Sequence, residues 1–471
     1  MTVDIFSFKR SFPWVFLLSA AMILITGSSL LAEEARVLNL EQLIQMALET
    51  SPELKEAEQE IVAAESDLAQ AKAGQWAQMD VIGMTGPAED ADLPTVIVDQ
   101  DLGGGLLRGR LEDNDSDDIG IFGRLDLVIA QPLYTFGKIS NRQQAARQGL
   151  EAQRIAKEKT RGDVVLKVKE LYYAYIVSRQ GQEAAADADG FVRDAKQRIQ
   201  RLLKVGSKNV EETDLYRLEA FEAEVRSFKA KADSGARLSY VALKRAVGIS
   251  PNQEFRVDVK ELPRDTRTLG TQEEYMQRAL DTRPELDQLK KGIEAKRALA
   301  EAAKADLYPS FFLAGIGSFA GAPGRERMPI SYFDDDFNHA YMGVVLGSEW
   351  HFDLGIGAGK LKKARAEHQK LVHTKEFAEQ NIPLEVAKNY QDVIEAHAAY
   401  TAYEKGAVAA RKWIVSSFSN FDFGVGTAKD MFDAIDRYGK NQGEYLKALY
   451  EYNVSLARLS HSVAEYRSGN P

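Results

Sequence analysis

Three aspartates near the carboxyl end of the chain follow one another at helical spacing. Asp430, Asp433 and Asp436 lie three residues apart, so in a helix they line one face. Carboxylates held close together raise one another's pKa and attract cations, which is the chemistry of a charged constriction. An ordinary solvated helix surface, with Asp430 as the helix cap, explains the spacing equally well. The sequence leaves both interpretations open.

No residue pattern indicates catalysis. The six histidines show no metal-ligand spacing, and the chain has no P-loop and no GxSxG turn. The absence of cysteine excludes a disulfide framework, a thiolate metal site and a lipidated N-terminal cysteine. A net charge of −10 gives no global basic signal for nucleic acid. We therefore expect a protein that is not an enzyme, with no cofactor, no metal and no nucleic-acid partner.

Two Val-Gly pairs interrupt long helical patterns, and each is followed by an aspartate. Glycine tolerates the left-handed conformation that commonly ends a helix, so Gly206 and Gly426 are predicted to hold that position. Eight positions separate Gly206 from Asp214, but only four separate Gly426 from Asp430. The first turn is therefore expected to be longer than the second.

The chain repeats its own pattern. Pro52-Glu53-Leu54 returns as Pro284-Glu285-Leu286, an offset of 284 − 52 = 232 residues, and the Val-Gly pairs recur in the same order. We interpret the chain as a tandem duplication. Its predicted parts are a first repeat over 33–250, a connector over 251–270 and a second repeat over 271–471.

The N-terminal segment has the pattern of an export signal. Lys9 and Arg10 precede the apolar run from Trp14 to Thr26, and small residues lead to a plausible cleavage after Ala32. A transmembrane anchor is the alternative, but the apolar core is short for a spanning helix. We predict that residues 1–32 are a signal peptide and that the mature chain is exported.

Each repeat is predicted to contain helices that flank two strands. Leu40 to Lys72 is predicted as helix, as are 138–204, which contains no proline, and 212–247. Alternating apolar patterns predict four strands per chain, each about 10 to 13 residues long. Asp- and Gly-rich loops are expected between the strands of a pair, and Pro383 is expected to kink the second long helix.

The four strands are long enough to cross a bilayer at a tilt. Four strands cannot close a barrel, so several chains must pool them if they span a membrane. Aromatic residues stand at the strand ends nearest the helices, where an interfacial girdle is expected; they are Trp76, Tyr134, Phe136, Tyr308, Trp350 and Phe352. The alternative is a pair of hairpins in a soluble sandwich.

This plan resembles the TolC-like outer membrane efflux proteins, the outer membrane factor family. The resemblance rests on "LNLEQLIQMALETSPEL", on "AKADLYPSF" entering a strand, on "QPLYTFGK" leaving one, and on the paired Val-Gly turns. It implies a mainly α fold with a transmembrane β part. Long antiparallel helical hairpins would form an α-barrel, and three chains would share a twelve-stranded β-barrel.

The resemblance also implies roles for the two turns. A periplasmic adaptor docks at such tips, which are matched here by Val205, Gly206, Ser207, Val425, Gly426 and Thr427. An aspartate ring at the periplasmic aperture is matched by Asp433 and Asp436, with Asp430 next to them. The alternative is that the turn residues have no role beyond reversing the chain.

We predict a passive homotrimeric exit duct of a tripartite efflux pump in the outer membrane, extending into the periplasm. Its partners would be a periplasmic adaptor (a membrane fusion protein), an inner-membrane transporter and outer-membrane lipid. One alternative is the outlet of a type I protein-secretion system, and another is a periplasmic coiled-coil scaffold without a pore. The sequence does not identify the exported substrate.

Overall fold

A computed structural model describes residues 36–89, 95–101, 107–112, 119–325 and 335–468. The predicted signal peptide over 1–32 lies outside the described residues, as do most of the Asp-rich loop after Leu111 and Asp334 of the second acidic loop. Among the described residues, no helix combines the length and the apolar composition that crossing a membrane requires.

Eight α-helices carry most of the described chain. They are α1 (Leu40–Thr50), α2 (Pro52–Ala73), α3 (Lys138–Lys204), α4 (Glu212–Ala246), α5 (Gln272–Thr282), α6 (Pro284–Ala305), α7 (Ile356–Asp422) and α8 (Ala428–Ser462). Their lengths of 11, 22, 67 and 35 residues recur in the same order in the two halves of the chain. The internal plan is thus repeated, and the residue limits of the two repeats stay a proposal.

The helix predicted from Leu40 to Lys72 is two helices rather than one. Ser51 ends α1 and caps α2, and Pro52 stands at the first helical position, where its missing N–H costs no hydrogen bond. The second half uses Arg283 and Pro284 in the same way. The composition of this segment is helical throughout, so the sequence prediction of one helix was wrong at Pro52, where the chain begins a second helix.

Eight strands are described: β1 (Arg36–Leu38), β2 (Gln78–Glu89), β3 (Thr95–Asp101), β4 (Leu107–Glu112), β5 (Ile119–Tyr134), β6 (Phe255–Val257), β7 (Ser310–Gly321) and β8 (His339–Glu349). The four predicted strands correspond to β2, β5, β7 and β8, which form one antiparallel sheet in the order β2-β5-β7-β8.

Four short strands were missed by the sequence prediction. β3 and β4 form an antiparallel hairpin in the region predicted to be an irregular polar loop. β1 pairs in parallel with β6, which lies in the connector between the two halves. Three-residue strands such as β1 and β6 are too short to show an alternating pattern, and the neighbouring Asp and Gly residues obscured the hairpin.

The long helices pack into two buried clusters. One gathers α1, α3, α5, α7 and α8 around side chains such as Leu43, Val386 and Leu449. The other lies near the two turns and contains Ile199, Leu218, Ile414, Met431 and Ile435. Pro383 lies within α7, which continues through it from Ile356 to Asp422 as one helix.

Candidate functional site

The first turn ends α3 with glycine in the left-handed conformation. Gly206 has φ +66°, its N–H donates to the carbonyl of Leu203 at 3.1 Å, and the N–H of Ser207 donates to the carbonyl of Leu202 at 3.0 Å. This pair of bonds satisfies two carbonyls that the helix end would otherwise leave free. The predicted role of Gly206 in ending the helix is thus confirmed. The Val205 side chain is 77% exposed.

The second turn uses a different glycine from the one predicted. Gly424, with φ +77°, donates to the carbonyl of Phe421, and Val425 donates to that of Asn420, both at 3.0 Å. Gly426 was expected to hold this position, but its φ is not positive. A Cβ on Gly426 would lie 3.0 Å from the Cβ of Asn420, so close packing is what favours glycine there.

The turns differ in length, as the sequence indicates. Five residues, Phe423 to Thr427, join α7 to α8, whereas seven, Val205 to Glu211, join α3 to α4. Each turn leads into a capping box, formed by Glu211 with Asp214 and by Thr427 with Asp430. The two extra residues therefore lie between the left-handed glycine and the cap of the following helix.

The three aspartates of α8 have different surroundings. Asp430 accepts hydrogen bonds from the Thr427 hydroxyl at 2.7 Å and from the Thr427 N–H at 3.0 Å, and these bonds lower its pKa. Asp433 is exposed and has no ion pair among the described residues. Asp436 pairs with Lys440 at 2.9 Å. The N-cap of α8 is therefore Thr427 and not Asp430, which the sequence interpretation had placed there; Asp430 stands at the third helical position and completes the capping box.

The face of α8 opposite these carboxylates is buried. Met431, Ala434 and Ile435 are at most 1% exposed and pack in the cluster near the turns. Asp433 and Asp436 therefore cannot turn inward without breaking this packing, and they face away from the core of the chain. Arg437 is exposed, and no pairing of its guanidinium across the turn is present among the described residues.

Ionic and aromatic contacts join the two hairpins close to the turns. The Nε of Arg198 on α3 lies 2.9 Å from the Oδ1 of Asp422 on α7, and its guanidinium stacks over Phe418 at 5.0 Å. The ring of Phe191 meets that of Tyr438 edge-on at 5.6 Å. Burial raises the pKa of Tyr438, which keeps its hydroxyl protonated. Both turns therefore stand on one packed four-helix unit.

The four-stranded sheet has one face that is apolar and exposed. The register places on this face Met79, Val81, Thr85, Pro87, Ile121, Leu125, Leu127, Ile129, Leu313, Phe319, Ala340, Met342, Val344 and Leu346. The one charged side chain that the register of the four strands places on this face is that of Glu89, the last residue of β2. Met342, Val344 and Leu346 are 73–79% exposed, which is unusual for large apolar side chains in water.

The other face of the sheet carries the polar side chains. Asp126 accepts hydrogen bonds from Arg124 at 3.0 Å and from the Ser318 hydroxyl at 2.6 Å. The Oγ of Ser318 also lies 2.6 Å from Nε2 of His339, and Ser318 is 2% exposed. The polar network is thus sheltered while the apolar face is bare, the reverse of a sheet in a soluble domain.

The aromatic residues predicted at the strand ends are exposed and grouped. Phe136 stacks on Tyr308 at 5.1 Å and meets Tyr134 at 4.7 Å, while Trp350 lies 4.5 Å from Phe352. Their side chains, and that of Trp76, are between 39% and 73% exposed. They form a row at the junction of the sheet and the long helices, which is where an interfacial girdle belongs.

Two turn residues of potential importance were missed from sequence. Phe423 is 84% exposed and directly precedes Gly424, so the second turn presents a large apolar side chain beside Val425. The sequence "DFGVG" contains two glycines, and either of them could end the helix. The prediction chose the second glycine because it followed valine, as Gly206 does.

Nothing in the described ranges points to a metal site. No group of three or more His, Asp and Glu side chains among them is arranged to hold an ion. His368 and His373 both lie on α7, where His373 contacts Glu376 at 2.9 Å.

Comparisons with known proteins identify the architecture. Residues 275–465 match the sequence profile of the family described as outer membrane efflux protein. No curated protein sequence matches the chain.

Several solved channels have a similar structure. The Campylobacter jejuni CmeC outer membrane channel is 14% identical with a TM-score of 0.73, over 90% of this chain and 85% of that one. The Neisseria gonorrhoeae MtrE outer membrane channel in its open state is 16% identical with a TM-score of 0.70, over 90% and 89%.

The outer membrane protein VceC of Vibrio cholerae is 17% identical with a TM-score of 0.69, over 90% of this chain and 96% of that one. At these identities the likeness shows a shared fold. The fold likeness and the profile match are independent, since one covers nine-tenths of the chain by shape and the other its second half by sequence. Together they show that the second half of the chain matches the outer membrane efflux protein profile and that the chain as a whole has the fold of these outer-membrane channels.

Proposed function

We propose that the chain is the outer-membrane exit duct of a tripartite efflux pump. In this proposal three copies assemble, and their sheets close a shared twelve-stranded barrel in the outer membrane. The helical hairpins form a tube that reaches into the periplasm. The duct conducts passively, and the energy comes from an inner-membrane transporter joined to it by a periplasmic adaptor.

The observation that carries the proposal is the exposed apolar face of the sheet, whose one charged side chain is Glu89 at the end of β2. Its strands of 11 to 16 residues suffice to cross a bilayer at a tilt. β2 and β8 leave two unpaired edges, and lipid does not tolerate an open edge. Three copies joined edge to edge, β2 of one against β8 of the next, supply every missing backbone partner.

The sheet also discriminates between candidate functions. A periplasmic coiled-coil scaffold has no use for a lipid-length apolar sheet, so the exposed face argues against it. The outlet of a type I secretion system shares the duct, and it differs only in its partners and cargo. No feature of the described chain favours that second function over efflux.

Electron microscopy and conductance together test the duct. Protein purified in detergent is expected to appear as a hollow threefold tube, with roughly 100 Å of helix below a compact ring, since 67 residues rise about 1.5 Å each. The same protein in a planar bilayer should carry ionic current. A solid rod or a monomer without conductance would refute the duct.

The turns are the proposed docking surface for the adaptor. Val205, Gly206 and Ser207 form one contact and Val425, Gly426 and Thr427 the other; we add Phe423 because it is exposed beside Val425. The apolar side chains at 77–84% exposure suit a hydrophobic contact with a partner. Val205→Asp and Val425→Asp should abolish adaptor binding in a pull-down while threefold assembly is retained.

The aspartates of α8 are the proposed lining of the periplasmic aperture. Asp433 is the better candidate, because the carboxylate of Asp430 is held by Thr427 and that of Asp436 by Lys440. Threefold symmetry would bring three copies of Asp433 into one ring that attracts cations. Asp433→Ala should reduce cation selectivity in bilayer recordings more than Asp430→Ala, and equal effects would contradict the assignment.

A further inference from the structure

The beginning of α7 concentrates positive charge at one place. Lys360, Lys362, Lys363 and Arg365 fall within six residues, all four are exposed, and no acidic residue occurs between Ile356 and Ala366. We call these four residues the basic collar. The first acidic residue of the helix is Glu367.

The collar residues form no ion pair within the described chain. Glu367, one turn further along, is held by Lys296 at 2.7 Å, and Asp353 accepts from the N–H of Gly355. The matching start of α3 is different, because Lys138 and Arg142 both pair with Asp306, at 2.9 and 3.3 Å. Lys138 and Arg142 thus have an acidic partner within ion-pair distance at the start of α3, whereas the four collar cations have none among the described residues.

The position of the collar on the helix makes this charge costly. The N-terminus of a helix carries about half a positive elementary charge, so cations in the first turns are disfavoured and anions are favoured. α7 has no acidic residue in its first turn, and the carboxylate at its start is that of Asp353, which accepts from the N–H groups of Gly355 and Gly357. One carboxylate faces four collar cations there, so an external anion would relieve the remaining positive charge.

The collar directly follows the aromatic row. Trp350 and Phe352 are exposed at the end of β8, and Leu354 and Ile356 continue the exposed apolar surface up to the start of α7. At about 1.5 Å per residue, the collar lies roughly 6–14 Å beyond Ile356 along the helix. The headgroup zone of a bilayer leaflet is about 5–8 Å deep, so the first turn of the collar lies within it and the rest beside it.

We propose that the basic collar binds the phosphate groups of anionic phospholipids in the leaflet that faces the helical part of the protein. The inference rests on the proposed function, since it needs the sheet to lie in a membrane. Charge complementarity and continuity with the lipid-facing surface both favour phospholipid as the occupant. Threefold assembly places three collars around the duct, where they fix its depth in the bilayer.

The size of the effect follows from the number of cations. A lysine or arginine near an anionic membrane surface contributes about fivefold in affinity. At about 100° per residue, Lys360 and Lys363 lie on one side of the helix and Lys362 and Arg365 on the other, so about two face the lipid at once. The expected preference of the collar for anionic over zwitterionic lipid is therefore roughly 25-fold.

The experiment counts lipids retained by the full-length protein. Native mass spectrometry of the detergent-purified protein, titrated with phosphatidylglycerol or with phosphatidylcholine, gives the apparent affinity for each. The test variant is Lys360→Gln, Lys362→Gln, Lys363→Gln and Arg365→Gln combined. The matched control changes four cations further along the same helix, Lys388, Lys405, Arg411 and Lys412, to Gln.

We expect the test variant to lose the preference for phosphatidylglycerol and the control to keep it. Equal preference in the test variant and the unmodified protein would overturn the inference, as would competition by millimolar inorganic phosphate, which would identify a free-phosphate site.

Conductance in a planar bilayer separates the two proposals. If the unmodified protein carries current but shows no lipid preference, only the proposed lipid binding by the collar is refuted. If the unmodified protein fails to insert into any bilayer, the proposed duct is refuted.

Discussion

The four-stranded sheet and the four-helix unit beneath the turns treat apolar side chains in opposite ways. In the helical unit, Leu218 and Met431 are fully buried and the charged residues face outward. In the sheet, Val344 is 74% exposed, while Ser318 and Asp126 are sheltered on the other face. The two regions belong to one chain, but each is built for a different solvent.

An exposed apolar side chain therefore has a different meaning in each of the two regions. An exposed apolar residue on the sheet belongs to a continuous apolar surface, which lipid covers in the proposed duct. An exposed apolar residue on a long helix, such as Leu238 at 71%, has charged neighbours. Its side chain either contacts water or is covered by another protein chain. The four predictions below test each side of the comparison, beginning with the largest effect.

Truncation of the buried side of the helical unit should have the largest effect. Leu218→Ala removes a fully buried side chain from the cluster near the turns and is expected to cost about 2–5 kcal/mol in the free energy of unfolding. Denaturation in urea, followed by circular dichroism, measures it. Leu238→Ala in the same helix is the control, expected at about 0.5 kcal/mol for a single chain. A larger loss at Leu238 would show that another chain covers it.

The sheet offers a pair of identical neighbours on opposite faces. Val344 and Val345 adjoin each other at the middle of β8, with Val344 on the apolar face and Val345 on the polar face. Val344→Arg should cost about 2–4 kcal/mol in the free energy of folding into a bilayer, and Val345→Arg much less. Refolding into vesicles over a urea series measures both. Equal costs would mean that the apolar face does not meet lipid.

The turn at Gly206 tests the backbone of the helical unit. Gly206→Ala is expected to lower the free energy of unfolding by about 1 kcal/mol, because alanine is disfavoured at a φ of +66°. The space around the residue is open, so the added methyl group causes no clash and the cost is conformational alone. Asparagine tolerates this conformation better, so Gly206→Asn should cost less. Thermal unfolding of the two variants side by side gives the difference. An alanine variant as stable as the asparagine variant would contradict a conformational cause.

The smallest expected effect is the pH dependence of the cap at Asp430. The hydrogen bonds from Thr427 lower the pKa of Asp430 in the folded state, so the stabilisation is fully present above the unfolded value near 3.9. It is lost as the pH falls through the lower folded value. The difference in Tm between Asp430→Asn and the unmodified protein should therefore be full at pH 7 and should shrink steadily as the pH is lowered below about 3.9. A difference that stays constant over this range would argue against the ionised cap.

Much of the fold could be predicted because its signals are local. The absence of proline and the helical composition determined α3 from Lys138 to Lys204, and the predicted helix 212–247 ends within one residue of α4. Alternation identified β5 and β8 and assigned Leu125 and Val344 to the apolar face. Each of these patterns depends on neighbouring residues in the chain, so the sequence contains it directly.

The rest depended on contacts between distant residues. One exception is local: Gly424 rather than Gly426 has the left-handed φ, and residue type does not distinguish the two glycines of this turn. β1 pairs with β6 across more than two hundred residues, and the charge of Lys138 is neutralised by Asp306 while that of Lys360 is not. The sequence by itself determined the lengths, periods and turns of this protein. Only the tertiary structure decided which charges are paired and which short strands join, because both bring together residues that the sequence keeps far apart.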